Sequence, residues 1–163
     1  MEATQFQFST ADLSDAHSNV QAVGDVFKSF GAVTAFYGII HTVQVFEDNV
    51  LVKAALETDG KGKVLVVDGR ASLKVALMGD NLAALAIKNG WEGVVINGAI
   101  RDSKAINAMG IGVRALGTNP LKSVKKGLGQ NQISVNFAGL EFVPGHYIYV
   151  DDDGILVSEK PLL

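Results

Sequence analysis

The chain has 163 residues, 48% of them hydrophobic and 19% charged, with a formal net charge of −3. That length suits one ordinary domain, the balance is globular rather than disordered, and scattered basic residues on an acidic chain give no basis for a broad grip on nucleic-acid phosphates. The absence of cysteine excludes disulfides, thiolate nucleophiles and thiolate metal sites, so any metal must take oxygen or imidazole ligands.

The opening "MEATQFQFSTADLSDAH" has no basic segment followed by an apolar core. No apolar run elsewhere reaches the roughly 18 residues of a membrane span. The expectation is a soluble, cytoplasmic protein with no membrane partner. Ser9 or Thr10 caps a first helix with Asp12 in its opening turn, running through Leu13 and Ala16. A second helical stretch is predicted from Val20 to Ser29, stopping at Gly31. Ala32 to Phe46, "AVTAFYGIIHTVQVF", is rich in β-branched and aromatic residues and reads as one strand or a bent pair.

Asp48 or Asn49 then caps a short helix, "VLVKAALE", which ends in the turn "TDGKGK". "KVLVVDG" is a short apolar run bounded by turn residues, the pattern of a strand covered on both faces. "SLKVALM" is a further short strand. Asp80 is placed as N-cap of the helix "NLAALAIKNG", and "GVVIN" follows as a second buried strand. Strand, helix, strand from Lys63 to Asn97 predicts a right-handed crossover between parallel strands. A short helix near "SKAINAMG" and a strand "GVRAL" continue this α/β core. From Ile133 the chain alternates apolar and polar residues around "AG", "PG" and "DG" turns, which predicts C-terminal antiparallel hairpins. There is no repeat, low-complexity segment or linker, so residues 1–163 are expected to form a single domain.

In sheets with parallel crossovers, ligands collect outside the carboxyl ends of the strands. Arg101 and Asp102 lie just past such an end. The segment Gly79, Asp80, Asn81 and Leu82 opens the preceding helix, whose free amides suit a carboxylate or phosphate. With the Arg101 guanidinium opposite, a small dicarboxylate or 2-oxo acid could be held by planar, charge-assisted hydrogen bonds. Asp102 adds a negative charge that a plain anion site would not want. It makes sense if a divalent cation sits between it and the substrate, since Mg²⁺ commonly uses one or two carboxylates and keeps several waters. The bland alternative is surface charge at a strand exit, with Asp80 only a cap.

Asp80, Arg101 and Asp102 lie in "GDNLA" and "NGWEGVVINGAIRD". With "FEDN", "GKGKVLVVDG", "GIGVRALGTNP", "VNFAGLEFVPG" and "VDDDGILVS", they resemble the family of 4-hydroxy-4-methyl-2-oxoglutarate aldolases and regulators of ribonuclease E activity. The matches run from Phe46 to Ser158. The resemblance implies a layered β/β/α fold of the swivelling-domain kind, assembled as a homotrimer with sites at subunit clefts. It also implies a divalent cation, Mg²⁺ or Mn²⁺, on Asp102, and binding of the pyruvate-like part of a 2-oxo diacid by Arg101 and Gly79 to Leu82. The resemblance further implies that Asp80 belongs to the site as a hydrogen-bonding or metal-water contact.

Similar aldolases cleave a 4-hydroxy-2-oxo diacid to pyruvate and a second 2-oxo acid, and also decarboxylate oxaloacetate. Both reactions generate a pyruvate enolate, which needs positive charge in place before it forms. A cation at Asp102 and the Arg101 guanidinium supply it, and a metal-bound water helped by Asp80 is a candidate acid or base. Two departures bear on substrate choice: Ala105 stands where aldolase-type members often carry an acidic residue, and Arg70 and Ala71 replace a glycine-rich segment. The rival function from the same family is inhibition of ribonuclease E as a protein partner, which needs no catalytic residue. Elsewhere, "DDDG" at Asp151 to Gly154 reads as an acidic hairpin turn rather than a calcium loop. His17, His41 and His146 have no metal-ligand spacing, "GLGQNQ" is no phosphate loop, and Trp91 reads as a packing residue.

Overall fold

The computed structural model describes residues 7–163. Helix α1 (Thr10–Ala16) opens on Ser9, whose side chain accepts the Asp12 N–H as expected of a cap. The predicted helix from Val20 to Ser29 does not form. That stretch gives two short strands, β1 (Gln21–Val23) and β2 (Lys28–Phe30). Val20, Val23, Phe27 and Phe30 imitate a helical stripe, but Gly24 and Asp25 interrupt it, and each half instead completes an exposed sheet edge, where ladder hydrogen bonds outweigh weak helix propensity. Phe27 and Phe30 consequently enter different cores, on opposite faces of the sheet.

Strand β3 (Phe36–Gln44) is one continuous strand, and α2 (Val50–Leu56) follows it. Then come β4 (Lys63–Asp68), β5 (Ala76–Met78), α3 (Asp80–Lys88) and β6 (Gly93–Ile100). Next are α4 (Ser103–Asn107), β7 (Val113–Thr118) and a short β8 (Gln130–Asn131), which sequence patterning did not indicate. The chain ends in β9 (Val135–Phe137), β10 (Leu140–Phe142), β11 (Tyr147–Asp151) and β12 (Gly154–Ser158).

The main sheet runs β1-β12-β11-β3-β4-β6-β7-β2, with β5 added to β6 and β8 to β3. Strands β3, β4, β6 and β7 are mutually parallel, as is β5 with β6, while β11, β12 and both edges are antiparallel. Side chains alternate across a strand, so Leu65 and Val67 of β4 pack under the helices while Val64 and Val66 pack on the opposite face. This two-sided burial explains why β4 reads as an unbroken apolar run, and all eight residues of β6 are buried. A helical layer of α2, α3 and α4, the large sheet, and the β9–β10 hairpin give the layered β/β/α arrangement.

Two of the three expected C-terminal turns close hairpins. Ala138 and Gly139 take φ values of 52° and 75° between β9 and β10, the left-handed pair that a two-residue turn demands. Asp152 and Asp153 join β11 to β12. The "PG" turn does not close a hairpin: β11 leaves β10 and pairs with β3 instead, because its alternate residues Ile148 and Val150 are needed in the main sheet's core. Among the described residues, no helix is long and apolar enough to cross a membrane.

Candidate active site

Strand β6 does not stop at Asn97 as "GVVIN" suggested but continues to Ile100, so Arg101 and Asp102 form the turn that enters α4. Asp102 has φ 58° and ψ 37°, a left-handed conformation that Asp tolerates better than most residues. Its carboxylate meets the start of α3, where Oδ2 accepts the Asp80 backbone N–H at 3.1 Å. Arg101 is half-buried. Its backbone N–H donates to the Met78 carbonyl at 2.9 Å, and Nη1 reaches the Pro120 carbonyl at 3.5 Å.

The N-cap of α3 is Gly79, not Asp80. Asp80 is the first helical residue, and its side chain makes no capping bond; the Asp102 carboxylate takes over that task from across the turn. The first intrahelical bond runs from the Ala83 N–H to the Gly79 carbonyl, which leaves the Asn81 and Leu82 amides ahead of the ladder and free for an anion. Gly79 has φ −119° and ψ −164°, a backbone any residue adopts. Its necessity is steric: a Cβ there would lie 2.6 Å from Asp102 Oδ2, 3.3 Å from Arg101 Cγ and 3.4 Å from Arg101 Nε.

All six residues singled out from sequence (Gly79, Asp80, Asn81, Leu82, Arg101 and Asp102) line one cavity of about 640 Å³. The same cavity gathers residues that patterning missed: Asn49 and Lys53 from α2 and its cap, and Lys122, Ser123 and Lys125 from the segment after β7. The available signal was the basic run "LKSVKK" after Pro120. Its folding depends on Asp48, which is buried. Oδ1 accepts the Val50 N–H at 3.0 Å, and Oδ2 accepts those of Lys126 at 3.0 Å and Leu128 at 3.1 Å. Burial alone pushes the Asp48 carboxyl up, but the amides of Val50, Leu128, Lys126 and Gly127 outweigh it and hold its pKa below the usual carboxylate value. Asp48 therefore straps the lysine segment against α2.

The walls carry four basic side chains (Lys53, Arg101, Lys122 and Lys125) against three acidic ones (Glu57, Asp80 and Asp102). Asp102 is exposed, and among the described residues its carboxylate accepts one hydrogen bond, from the Asp80 N–H. Among the described residues, no group of three or more His, Cys, Asp or Glu converges as a metal cage. One open carboxylate beside the free amides at the start of α3 is the kind of donor set that suits Mg²⁺ or Mn²⁺, which keep waters and take ligand oxygens. It does not fit a zinc site closed by protein ligands. The lysines of the cavity are exposed, unlike the desolvated lysine of Schiff-base chemistry.

Ala105 is exposed on α4 and does not line the cavity. Arg70 and Ala71 occupy left-handed conformations, φ 54° and 61°, where glycine would sit without strain. The Asp151–Gly154 segment is the β11–β12 turn. His41 packs edge-on against Trp91 with ring centroids 5.5 Å apart, and Trp91 is buried.

The family model described as RraA-like, Aldolase/RraA, matches residues 10–157. A protein of Aromatoleum aromaticum named "Putative 4-hydroxy-4-methyl-2-oxoglutarate aldolase" is 57% identical over 158 residues, covering 96% of this chain and 99% of that one. One of the same name from Azotobacter vinelandii is 51% identical, covering 96% and 97%. The structure titled RNA-processing inhibitor RraA from Thermus thermophilis superposes with a TM-score of 0.94 at 44% identity, over 96% of this chain and 95% of that one. The structure titled S-adenosylmethionine: 2-dimethylmenaquinone methyltransferase from Geobacillus kaustophilus gives 0.93 at 50%, over 95% and 97%. With matched residues spanning the sheet, the crossover and the Arg101–Asp102 turn, the chain belongs to the RraA-like, aldolase/RraA family.

Proposed function

We propose that the protein is a divalent-metal-dependent lyase that cleaves 4-hydroxy-4-methyl-2-oxoglutarate-type diacids to pyruvate and decarboxylates oxaloacetate. Relatives of one fold carry titles naming three different activities, so the reading rests on the site rather than the fold. The observation that carries it is the meeting of Arg101, Asp102 and the open N-terminus of α3 in one cleft.

In this reading the Asn81 and Leu82 amides and the Arg101 guanidinium receive the C1 carboxylate and keto oxygen of the substrate. Asp102 would hold Mg²⁺ or Mn²⁺, which when bound supplies Lewis-acid charge beside the keto oxygen. Carbon–carbon cleavage leaves an electron pair on the pyruvate fragment as an enolate. Arg101, always protonated, faces the developing oxyanion and stabilises it more than the neutral ketone. Asp80 lines the same cavity, and in this reading it is the candidate to help move the C4 hydroxyl proton, directly or across one water. Gly79 lets the Asp102 carboxylate and the Arg101 side chain lie against the helix start without a Cβ between them.

The experiment is pyruvate release from 4-hydroxy-4-methyl-2-oxoglutarate and CO₂ release from oxaloacetate, with Mg²⁺ or Mn²⁺ and with chelator. Metal-dependent release of both products is expected. Purified, metal-loaded protein that releases neither sinks the reading.

A second reading, binding and inhibition of ribonuclease E, is favoured by the 44% identity to the RNA-processing inhibitor. Phe46, Leu121, Val124 and Leu128 are exposed by 52–66%, and Leu121 and Val124 flank the cavity residues Lys122 and Ser123 in the chain. Our reading of the assembly is a homotrimer with clefts between subunits, and the exposed apolar side chains suit contact with a further copy of the chain or with another protein. Light scattering measures the assembly, and a ribonuclease E inhibition assay tests the partner.

A further inference from the structure

Asn119 and Pro120, the first residues beyond β7, do not line the active-site cavity. They are nevertheless tied to the Arg101 turn. The Asn119 N–H donates to the Ile100 carbonyl at 3.0 Å, so the chain leaves β7 beside the residue that precedes Arg101. The half-buried Asn119 side chain is used at both ends: Nδ2 donates to the Leu73 carbonyl at 2.8 Å, and Oδ1 accepts the Leu121 N–H at 2.9 Å. The second bond is an Asx-turn, in which an asparagine holds the backbone two residues on. It encloses Pro120, whose ring already fixes φ.

The planarity of one peptide bond carries this turn to the site. In a trans peptide the N–H and C=O point in opposite directions. The Leu121 N–H and the Pro120 C=O belong to the same peptide, so when Asn119 Oδ1 takes the N–H, the carbonyl is turned away from Asn119. The group it meets is Arg101 Nη1, at 3.5 Å. The next carbonyl, of Leu121, is itself held by the Ala76 N–H at 2.7 Å, which keeps the segment from swinging. Arg101 is thus located at two points. Its Cγ and Nε lie 3.3 and 3.4 Å from where a Gly79 Cβ would stand, and its tip meets the Pro120 carbonyl. At 3.5 Å the tip contact is long, so it contributes direction rather than much energy. A neutral carbonyl also leaves the guanidinium charge uncompensated, as a carboxylate would not.

We propose that Asn119 is a positioning residue for Arg101: its Asx-turn aims the Pro120 carbonyl at the guanidinium and so fixes the orientation of the planar fork at the cavity wall. This deepens the lyase reading and rests on its assignment of Arg101 to the substrate. Asn119 touches neither substrate nor metal and acts only through the Pro120 carbonyl. A fork set in advance loses less freedom when it closes on a carboxylate and a developing enolate oxygen.

The test has a spectroscopic and a kinetic arm. The chain has three arginines, Arg70, Arg101 and Arg114, so their ¹⁵N-labelled Nε–H signals are few, and Arg101→Lys identifies the Arg101 signal by its loss. Asn119→Ala is expected to lower the heteronuclear NOE of Arg101 Nε while leaving that of Arg114, which is 4% exposed, unchanged. In pyruvate release, Asn119→Ala is expected to lower kcat/KM about tenfold. The same change made in Arg101→Lys should cost less than about twofold, because the fork it positions is already gone. A residue that only supports the fold costs as much in either background. Asn119→Ser, whose hydroxyl closes the same turn more weakly, should fall between, and it serves as the test if Asn119→Ala does not fold. Unchanged Arg101 motion in the variant, or losses that add in the double variant, overturns the proposal. Wild-type protein that releases no pyruvate sinks the lyase reading alone: the motion of Arg101 with and without the Asn119 side chain still decides the positioning.

Discussion

Gly79→Ala separates the site from the fold more cleanly than any other single change. The backbone at Gly79, φ −119° and ψ −164°, accepts alanine without conformational strain. The added methyl would nonetheless start 2.6 Å from Asp102 Oδ2, whereas an ordinary non-bonded contact needs roughly 3.2–3.5 Å. The carboxylate must therefore shift by about 0.6–0.9 Å. That shift lengthens its 3.1 Å bond from the Asp80 N–H and also crowds Arg101 Cγ at 3.3 Å. A weakened hydrogen bond and a poorer N-cap together cost on the order of 1–2 kcal/mol, which lowers Tm by roughly 2–8 °C for a chain of this size. Misplacing a catalytic group by close to 1 Å costs on the order of 100-fold in rate. Folding is followed by thermal melts, Mg²⁺ affinity by calorimetry and kcat/KM by coupled pyruvate detection. The expected result is a folded protein with kcat/KM down about 100-fold and weakened Mg²⁺ binding. A variant that keeps kcat/KM within threefold and binds Mg²⁺ as wild type does refutes the argument that these two side chains are held by their contact with Gly79.

Asp102→Asn preserves size and tolerates the left-handed backbone at φ 58°. The fold should melt within a degree or two of wild type while Mg²⁺ binding drops and kcat/KM falls by about 100-fold or more; unchanged metal affinity on titration would remove Asp102 from the site. Arg101→Lys keeps the charge and loses the planar fork, so affinity for pyruvate and kcat/KM should each fall roughly tenfold or more, a loss that steady-state kinetics and calorimetry measure separately. Asp48 carries an acid signature. Its folded pKa lies below the ordinary 3.8, so its contribution is complete above 3.8 and is lost as pH falls through the lowered folded value. Asp48→Asn should flatten that acid limb of urea-midpoint stability between pH 6 and 2 and cost about 2 kcal/mol at neutral pH. An acid limb as steep in the variant as in wild type counts against the strap.

Much of the architecture was legible because local rules and tertiary need agreed. "KVLVVDG" and "GVVIN" are apolar without interruption because both of their faces are covered, and the helix between them obliges the strands to run parallel. That crossover alone puts Arg101 and Asp102 beyond a carboxyl edge, next to a helix start. The "AG" and "DG" turns likewise announced their hairpins. The stretch around Val23 and Phe30 departs from its predicted helix because its apolar spacing serves two strands at opposite edges as well as it serves one helix, and only the vacant ladders of β12 and β7 choose between them. Asp80 resembled a cap by position, yet Asp102, 22 residues later, supplies the capping oxygen.

Sequence by itself determined the α/β order, the parallel crossover and the corner of Gly79, Asp80, Arg101 and Asp102, because periodicity and turn chemistry act over a few residues. Only the tertiary structure decided what stands opposite that corner. Asn49, Lys53 and Ser123 share no motif and are separated by up to 74 positions along the chain, and they meet because Asp48 gathers backbone amides from both sides of the gap. That the Pro120 carbonyl meets Arg101 is likewise a property of chain crossing, which no linear pattern records.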